Sequence, residues 1–156
     1  MKRKQVLRIA GKVLVGFFVA LYLLLAWGCL GATPAAIIAY LVSTGLCFLG
    51  MSLFRRWRNE PRPYEVFGLK PLIPKANLKS GESLPSRHTF SAFLIATIAA
   101  VVFRDFAGVV VLLLAAALGT IRVLEGAHFL RDVVAGAGLG ILAGLFCVAT
   151  LIIAVA

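Results

Sequence analysis

Apolar residues run almost unbroken along this chain, and the few places where they stop divide it into five stretches, 6–30, 35–54, 86–103, 107–123 and 133–156. A bilayer core about 30 Å thick needs roughly 20 apolar residues in a helix that crosses it. The pattern therefore predicts an all-α fold, an integral membrane helical bundle of about five transmembrane helices forming one membrane-embedded domain over 1–156. The first stretch follows Lys2, Arg3 and Lys4 and has the outline of an export signal. It is longer than the roughly 7–15 apolar residues of a signal core, so it is read as a helix. In the last stretch Gly136, Gly140 and Gly144 recur at every fourth position on one helical face, with Gly138 adding to the small surface. Such a stripe lets another helix approach closely, either within the chain or from a second copy in a homodimer.

Composition agrees with the pattern: 62% of the residues are hydrophobic and 14% charged, against about 45–50% and about 25% in soluble domains. Charge is scarce but one-sided, with 16 Lys and Arg against 6 Asp and Glu and a formal net charge of +10. In a membrane chain that excess points to lipid headgroups, to topology or to an anionic substrate. It does not point to nucleic acid, because no soluble domain remains on which a groove-reading surface could form. With five spans, three groups of basic residues fall on one side of the membrane. They are Lys2, Arg3, Lys4, Arg8 and Lys12; then Arg55, Arg56, Arg58, Arg62, Lys70, Lys75, Lys79 and Arg87; then Arg122 and Arg131. Only Arg104 faces the other way. The positive-inside rule makes the rich side cytoplasmic, so a cell-membrane protein with a cytoplasmic N-terminus and an outward C-terminus is expected. Cys29, Cys47 and Cys147 lie inside apolar stretches at no metal-ligand spacing and read as small buried hydrophobes.

The polar residues are concentrated in two places. One is the 33-residue segment from Arg55 to Arg87, which carries Pro61, Pro63, Pro71, Pro74 and Pro85. A connector of that length is commonly functional, and its prolines argue for a shaped loop. The other is 120–132, where His128 and Asp132 are four apart. If the last helix has begun there, they share a face and can hydrogen-bond, which fixes the imidazole tautomer and leaves its other nitrogen free as nucleophile or base. Both histidines of the chain, His88 and His128, fall on the arginine-rich side. Polar groups at membrane depth are functional candidates, and converging guanidinium forks suit phosphate oxygens. Two histidines, an aspartate and several arginines are what a metal-independent phosphohydrolase requires. No carboxylate cluster for magnesium and no Cys/His set for zinc is visible, and no cofactor is expected. Arg56 and Arg58 read as snorkelling residues at a helix end, and Ser86 as a helix cap. Glu60, Glu65, Glu82 and Glu125 read as solvated or arginine-pairing groups.

These residues resemble the type-2 phosphatidic acid phosphatase superfamily, also called lipid phosphate phosphatases, whose pattern has three blocks. A basic residue is followed after six residues by Arg-Pro, here Arg55 and Arg62-Pro63. Pro-Ser-Gly-His is here Pro85-Ser86-Arg87-His88, and Ser-Arg, five residues, His, three residues, Asp is here Ile121-Arg122, His128 and Asp132. The resemblance implies His128 as the nucleophile forming a phosphohistidine, Asp132 as its orienter and His88 as the acid for the leaving group. It also implies Arg55, Arg62, Ser86 and Arg122 as phosphate-binding residues, with the backbone near Arg87 helping. Three positions depart from the pattern. Arg55 replaces the commoner Lys, Arg87 stands where Gly is usual and adds a candidate cation, and Ile121 stands where Ser is usual. Membrane members of the family are six-helix bundles, so this chain resembles that core without its first helix.

The function expected from these readings is hydrolysis of a phosphomonoester or diphosphate of a membrane lipid. The candidate substrates are of the isoprenoid diphosphate, phosphatidate or phosphatidylglycerol phosphate type, reached from the bilayer. A catalytically silent lipid-phosphate-binding or transport protein is the alternative from another class. It would be expected to have lost His88, His128 or Asp132, and all three are present.

Overall fold

A computed structural model describes residues 2–68 and 80–156. Lys70, Lys75 and Lys79, counted above on the basic side, and Pro71 and Pro74 lie outside the described residues. Six helices follow one another: α1 (Lys2–Ala32), α2 (Pro34–Arg58), α3 (Pro63–Val66), α4 (Arg87–Phe103), α5 (Phe106–Leu124) and α6 (Leu130–Val155). The five long ones are the five expected spans, with each end within four residues of the expected one. The single turn α3 has no counterpart in the hydrophobic pattern, because four residues are too few to show a period.

Local chemistry sets the boundaries. Thr33 caps α2, its hydroxyl accepting from the Ala36 amide at 3.0 Å, and Pro34 occupies the first helical turn, where its missing N–H costs nothing. Asn59 in the left-handed conformation ends the same helix. Between α4 and α5, Arg104 takes a left-handed conformation and Asp105 caps α5 through the Ala107 amide, so the two helices form a tight hairpin.

Helices α1, α2, α5 and α6 are long and apolar enough to cross a membrane, and their outer faces carry exposed Leu, Ile, Val and Phe. Trp27 and Trp57 are exposed near opposite ends of the bundle, as interfacial aromatic anchors are. α4 is shorter, at 17 residues, or about 25 Å at 1.5 Å per residue. It is the central helix, buried over most of its length and packed against the other four.

The glycine stripe of α6 lies on α4. A Cβ at Gly136 would meet the Ser86 carbonyl oxygen at 2.7 Å, one at Gly140 the Phe90 carbonyl oxygen at 2.6 Å, and one at Gly144 the Thr97 Cβ at 2.6 Å. The backbones are thus closer than any side chain would allow. This packing within the chain consumes the stripe, leaving no small-residue face there for a second copy. Gly138, on another face, has nothing within 4 Å.

Candidate active site

Three segments meet at one end of the bundle: the last turn of α2 with α3, the 80–88 segment leading into α4, and the turn between α5 and α6. The N-terminal part of α1 reaches the same end, since Gly11 packs against Ile121 and Glu125. Arg104 caps the opposite end of α4.

Arg55 belongs to α2 rather than to the loop, and is buried. It points under the loop, donating from Nη1 to the Pro85 carbonyl at 2.9 Å and from Nη2 to that of Glu82. Arg62, in the extended backbone just before α3, donates from Nε to the Gly81 carbonyl at 2.9 Å and from Nη1 to that of Ala127 at 3.5 Å, adjacent to His128. Glu65 closes this corner, its carboxylate accepting from the amides of Arg62 at 2.7 Å and Gly81 at 3.0 Å and from the Ser80 hydroxyl. Gly81 has φ +65°, and a Cβ there would lie 2.1 Å from Asn59 Oδ1. Only glycine fits.

His128 and Asp132 come together, though not as neighbours on one helical face. α6 begins at Leu130, so His128 precedes the helix, while Asp132 lies in its first turn and accepts from the Phe129 amide at 3.0 Å. The capping turn delivers the imidazole, with Nδ1 3.6 Å from Asp132 Oδ2. That is an electrostatic contact slightly beyond hydrogen-bonding range, and hydrogen bonds of catalytic groups often tighten only with substrate bound. Both side chains are buried, at 4% and 0% exposure. Burial pulls the His128 pKa below the usual imidazole value, the charges of Arg62 and Arg55 add to this, and Asp132 opposes it.

Ser83 was not singled out in the sequence and belongs to this cluster. It is fully buried and donates its hydroxyl to Asp132 Oδ2. Its amide donates to the Glu60 carbonyl at 2.9 Å. Its position three residues before Ser86 was visible in the sequence, but a lone serine there carries no distinguishing signal. Ser86 is buried at the start of α4, its amide donating to the Asp132 carbonyl at 2.9 Å and its hydroxyl accepting from Thr89 at 3.0 Å. Its carbonyl caps α4 while its hydroxyl makes no cap bond.

His88 lies exposed on the first turn of α4, within electrostatic reach of Arg122, His128, Arg87 and Arg55. Arg87 turns toward α2, its guanidinium 5.9 Å from the centre of the Phe48 ring. Arg122 pairs with Glu125, Nη1 to Oε2 at 2.9 Å. Ile121 is buried with Cγ2 facing Gly11, which explains how an aliphatic residue is accommodated in place of a hydroxyl: the side chain packs on α1. Glu60 bridges Arg58 and Arg131, tying the end of α2 to the start of α6. Among the described residues, no three His, Cys, Asp or Glu side chains gather as a metal site.

The arrangement provides a buried, neutral-leaning imidazole backed by a carboxylate, a second imidazole nearby, and arginines entering from α2, the loop and α5. Such a set can hold a phosphoryl group and pass it to nitrogen. No curated protein matches the chain. Among solved structures, the crystal structure of Aquifex aeolicus LpxE is similar, with a TM-score of 0.66 and 23% sequence identity over 93% of this chain and 93% of that one. The family model of the PAP2 superfamily matches residues 36–153, well over half the sequence and all three polar blocks. The chain belongs to the PAP2 superfamily, and it is a phosphatase of that superfamily built as a multi-pass bundle of membrane helices.

Proposed function

We propose that the chain hydrolyses a phosphomonoester or diphosphate of a membrane lipid, without a metal, through a phosphohistidine at His128. The observation that carries this reading is the burial of His128 against Asp132, with Arg62 bonded to the carbonyl next to it, at the end of a bundle whose outer faces are apolar. A lipid can present its phosphate to that end while its chains stay in the bilayer. The candidate substrates are of the isoprenoid diphosphate, phosphatidate or phosphatidylglycerol phosphate type.

Arg55, Arg62 and Arg122 hold the phosphate oxygens, with Ser86 and the start of α4 assisting as a helix N-terminus does. Arg87, whose guanidinium turns toward Phe48 of α2, is the candidate for a second phosphate once its side chain swings from that ring. The free nitrogen of His128 attacks phosphorus, and the bond to the leaving oxygen breaks as His88 gives that oxygen a proton. Asp132 stabilises the imidazolium that forms, and Ser83 holds the carboxylate in place. Water deprotonated by His88 then attacks the phosphohistidine, releasing inorganic phosphate and restoring both histidines.

The basic N-terminal end of α1 lies at the same end of the bundle as the site, so we place both on the cytoplasmic face. A reporter fused after Ala156 that proves cytoplasmic would overturn this orientation. The activity is tested by phosphate release from a panel of lipid phosphates in detergent with EDTA. Turnover is expected to persist in EDTA and to be lost in His128→Ala. Loss in EDTA, or retention in His128→Ala, would refute the mechanism.

A further inference from the structure

Glu125 is poorly explained by stability. It is the C-cap of α5, at the carbonyl end of a helix, where a negative charge opposes the helix dipole. It is also 5% exposed, and burying a carboxylate is costly unless it is paired. Its partner is Arg122, three residues earlier, with Nη1 2.9 Å from Oε2. The same guanidinium has its Nε buried, and among the described residues that nitrogen has no hydrogen-bond partner. One edge of the fork is thus anchored, and a donor on it is left unsatisfied. α1 covers the carboxylate: a Cβ on Gly11 would lie 3.7 Å from Glu125 Oε1 and 3.4 Å from Ile121 Cγ2, so the helix backbone helps to bury Glu125. Next along the chain, the Ala127 amide donates to the Arg122 carbonyl at 3.1 Å, so the residue that Glu125 holds also anchors the turn leading to His128.

We infer that Glu125 is a positioning residue, which fixes the Arg122 guanidinium so that its remaining donors face the phosphate. This rests on Arg122 as a phosphate ligand, part of the reading above. A carboxylate that merely stood near the site would do the reverse. Its charge would repel a phosphate dianion, and removing it would tighten anion binding. The positioning role predicts weaker binding on removal, so the two accounts differ in sign.

The experiment is a double-mutant cycle on the full chain in detergent, with Glu125→Ala, Arg122→Ala and the pair. Two readouts are used: the affinity for inorganic phosphate by phosphorus-31 titration, and KM and kcat on a lipid phosphate. Glu125→Ala is expected to weaken phosphate binding and raise KM about tenfold, a typical size for coupled neighbours, with a smaller change in kcat. In the Arg122→Ala background the same substitution should change either quantity less than about twofold. Glu125→Gln keeps an acceptor oxygen and should lose less than Glu125→Ala, and it carries the test if the alanine variant fails to elute as a folded species. Tighter phosphate binding, no change, or a loss that adds fully to that of Arg122→Ala would each overturn the inference. The phosphate titration separates this inference from the proposed function. A coupled cycle with no turnover of any lipid phosphate would refute the substrate reading and leave Glu125 as positioner. Normal turnover with an additive cycle would refute Glu125 alone.

Discussion

Gly136 offers a direct test of how the bundle sets the site. A Cβ at this position would stand 2.7 Å from the Ser86 carbonyl oxygen and 3.4 Å from the Ser86 amide nitrogen. The carbonyl is backbone at the start of α4, so it cannot rotate away. Reaching an ordinary contact of about 3.4 Å requires the two helices to part locally by about 0.7 Å. The Ser86 amide to Asp132 carbonyl bond, 2.9 Å long, crosses the same junction, and a shift of that size along it would stretch it beyond hydrogen-bonding range. Gly136→Ala should therefore cost about 1–3 kcal/mol in stability, as overpacking does, and also separate Asp132 on α6, with His128 in the turn before it, from Ser86 and His88 at the start of α4. Displacements approaching 1 Å at reacting groups cost on the order of 100-fold in rate, so a fall in kcat of about 10- to 100-fold is expected. Gly138→Ala, two residues along and with open space around it, is the control. It should leave activity intact and gain up to about 1 kcal/mol from helix propensity. The assay pairs phosphate release in detergent with the thermal unfolding midpoint of each variant. Wild-type kcat in Gly136→Ala, or equal damage from Gly138→Ala, would refute the argument that this contact sets the catalytic geometry.

Two further predictions concern the histidine and its support. Ser83→Ala removes a hydrogen bond to a buried carboxylate, worth about 1.5–3 kcal/mol, or about 10- to 100-fold at 1.4 kcal/mol per decade. The loss should appear in kcat more than in KM, because Ser83 acts through Asp132, and an unchanged kcat would count against this support. The pH dependence follows from the lowered pKa of His128. The nucleophile must be neutral, so its acid limb in kcat/KM should lie below the free imidazole value of about 6.5, after allowing for the substrate phosphate, which ionises near 6. Neutral burial of His128 likewise gives stability that is full above about pH 6.5 and lost as pH falls toward the lower folded-state value. An acid limb at or above 6.5 would show that the ring is not held neutral by its surroundings.

By itself the sequence determined the helices and the candidate blocks. Apolar stretches of membrane length define α1, α2, α5 and α6 wherever they are placed, because the bilayer acts on each stretch separately. The spacings from Arg55 to Arg62 and from Arg122 through His128 to Asp132 are local too, and they were legible as a phosphate-handling set. Tertiary structure decided which groups face one another. The glycine stripe announced a close neighbour without naming α4, and Ile121 faces α1, which no local pattern specifies. Ser83 lies 49 positions from Asp132, so no helical or loop spacing links them. His128 and Asp132 were expected to meet along a helix, whereas the start of α6 at Leu130 makes them meet across a capping turn. Glu125 was one of four unremarkable acids until burial left it paired with Arg122. Periodicity and spacing report what a segment does alone, whereas the cost of burying a charge or hydroxyl depends on the partner that folding brings to it.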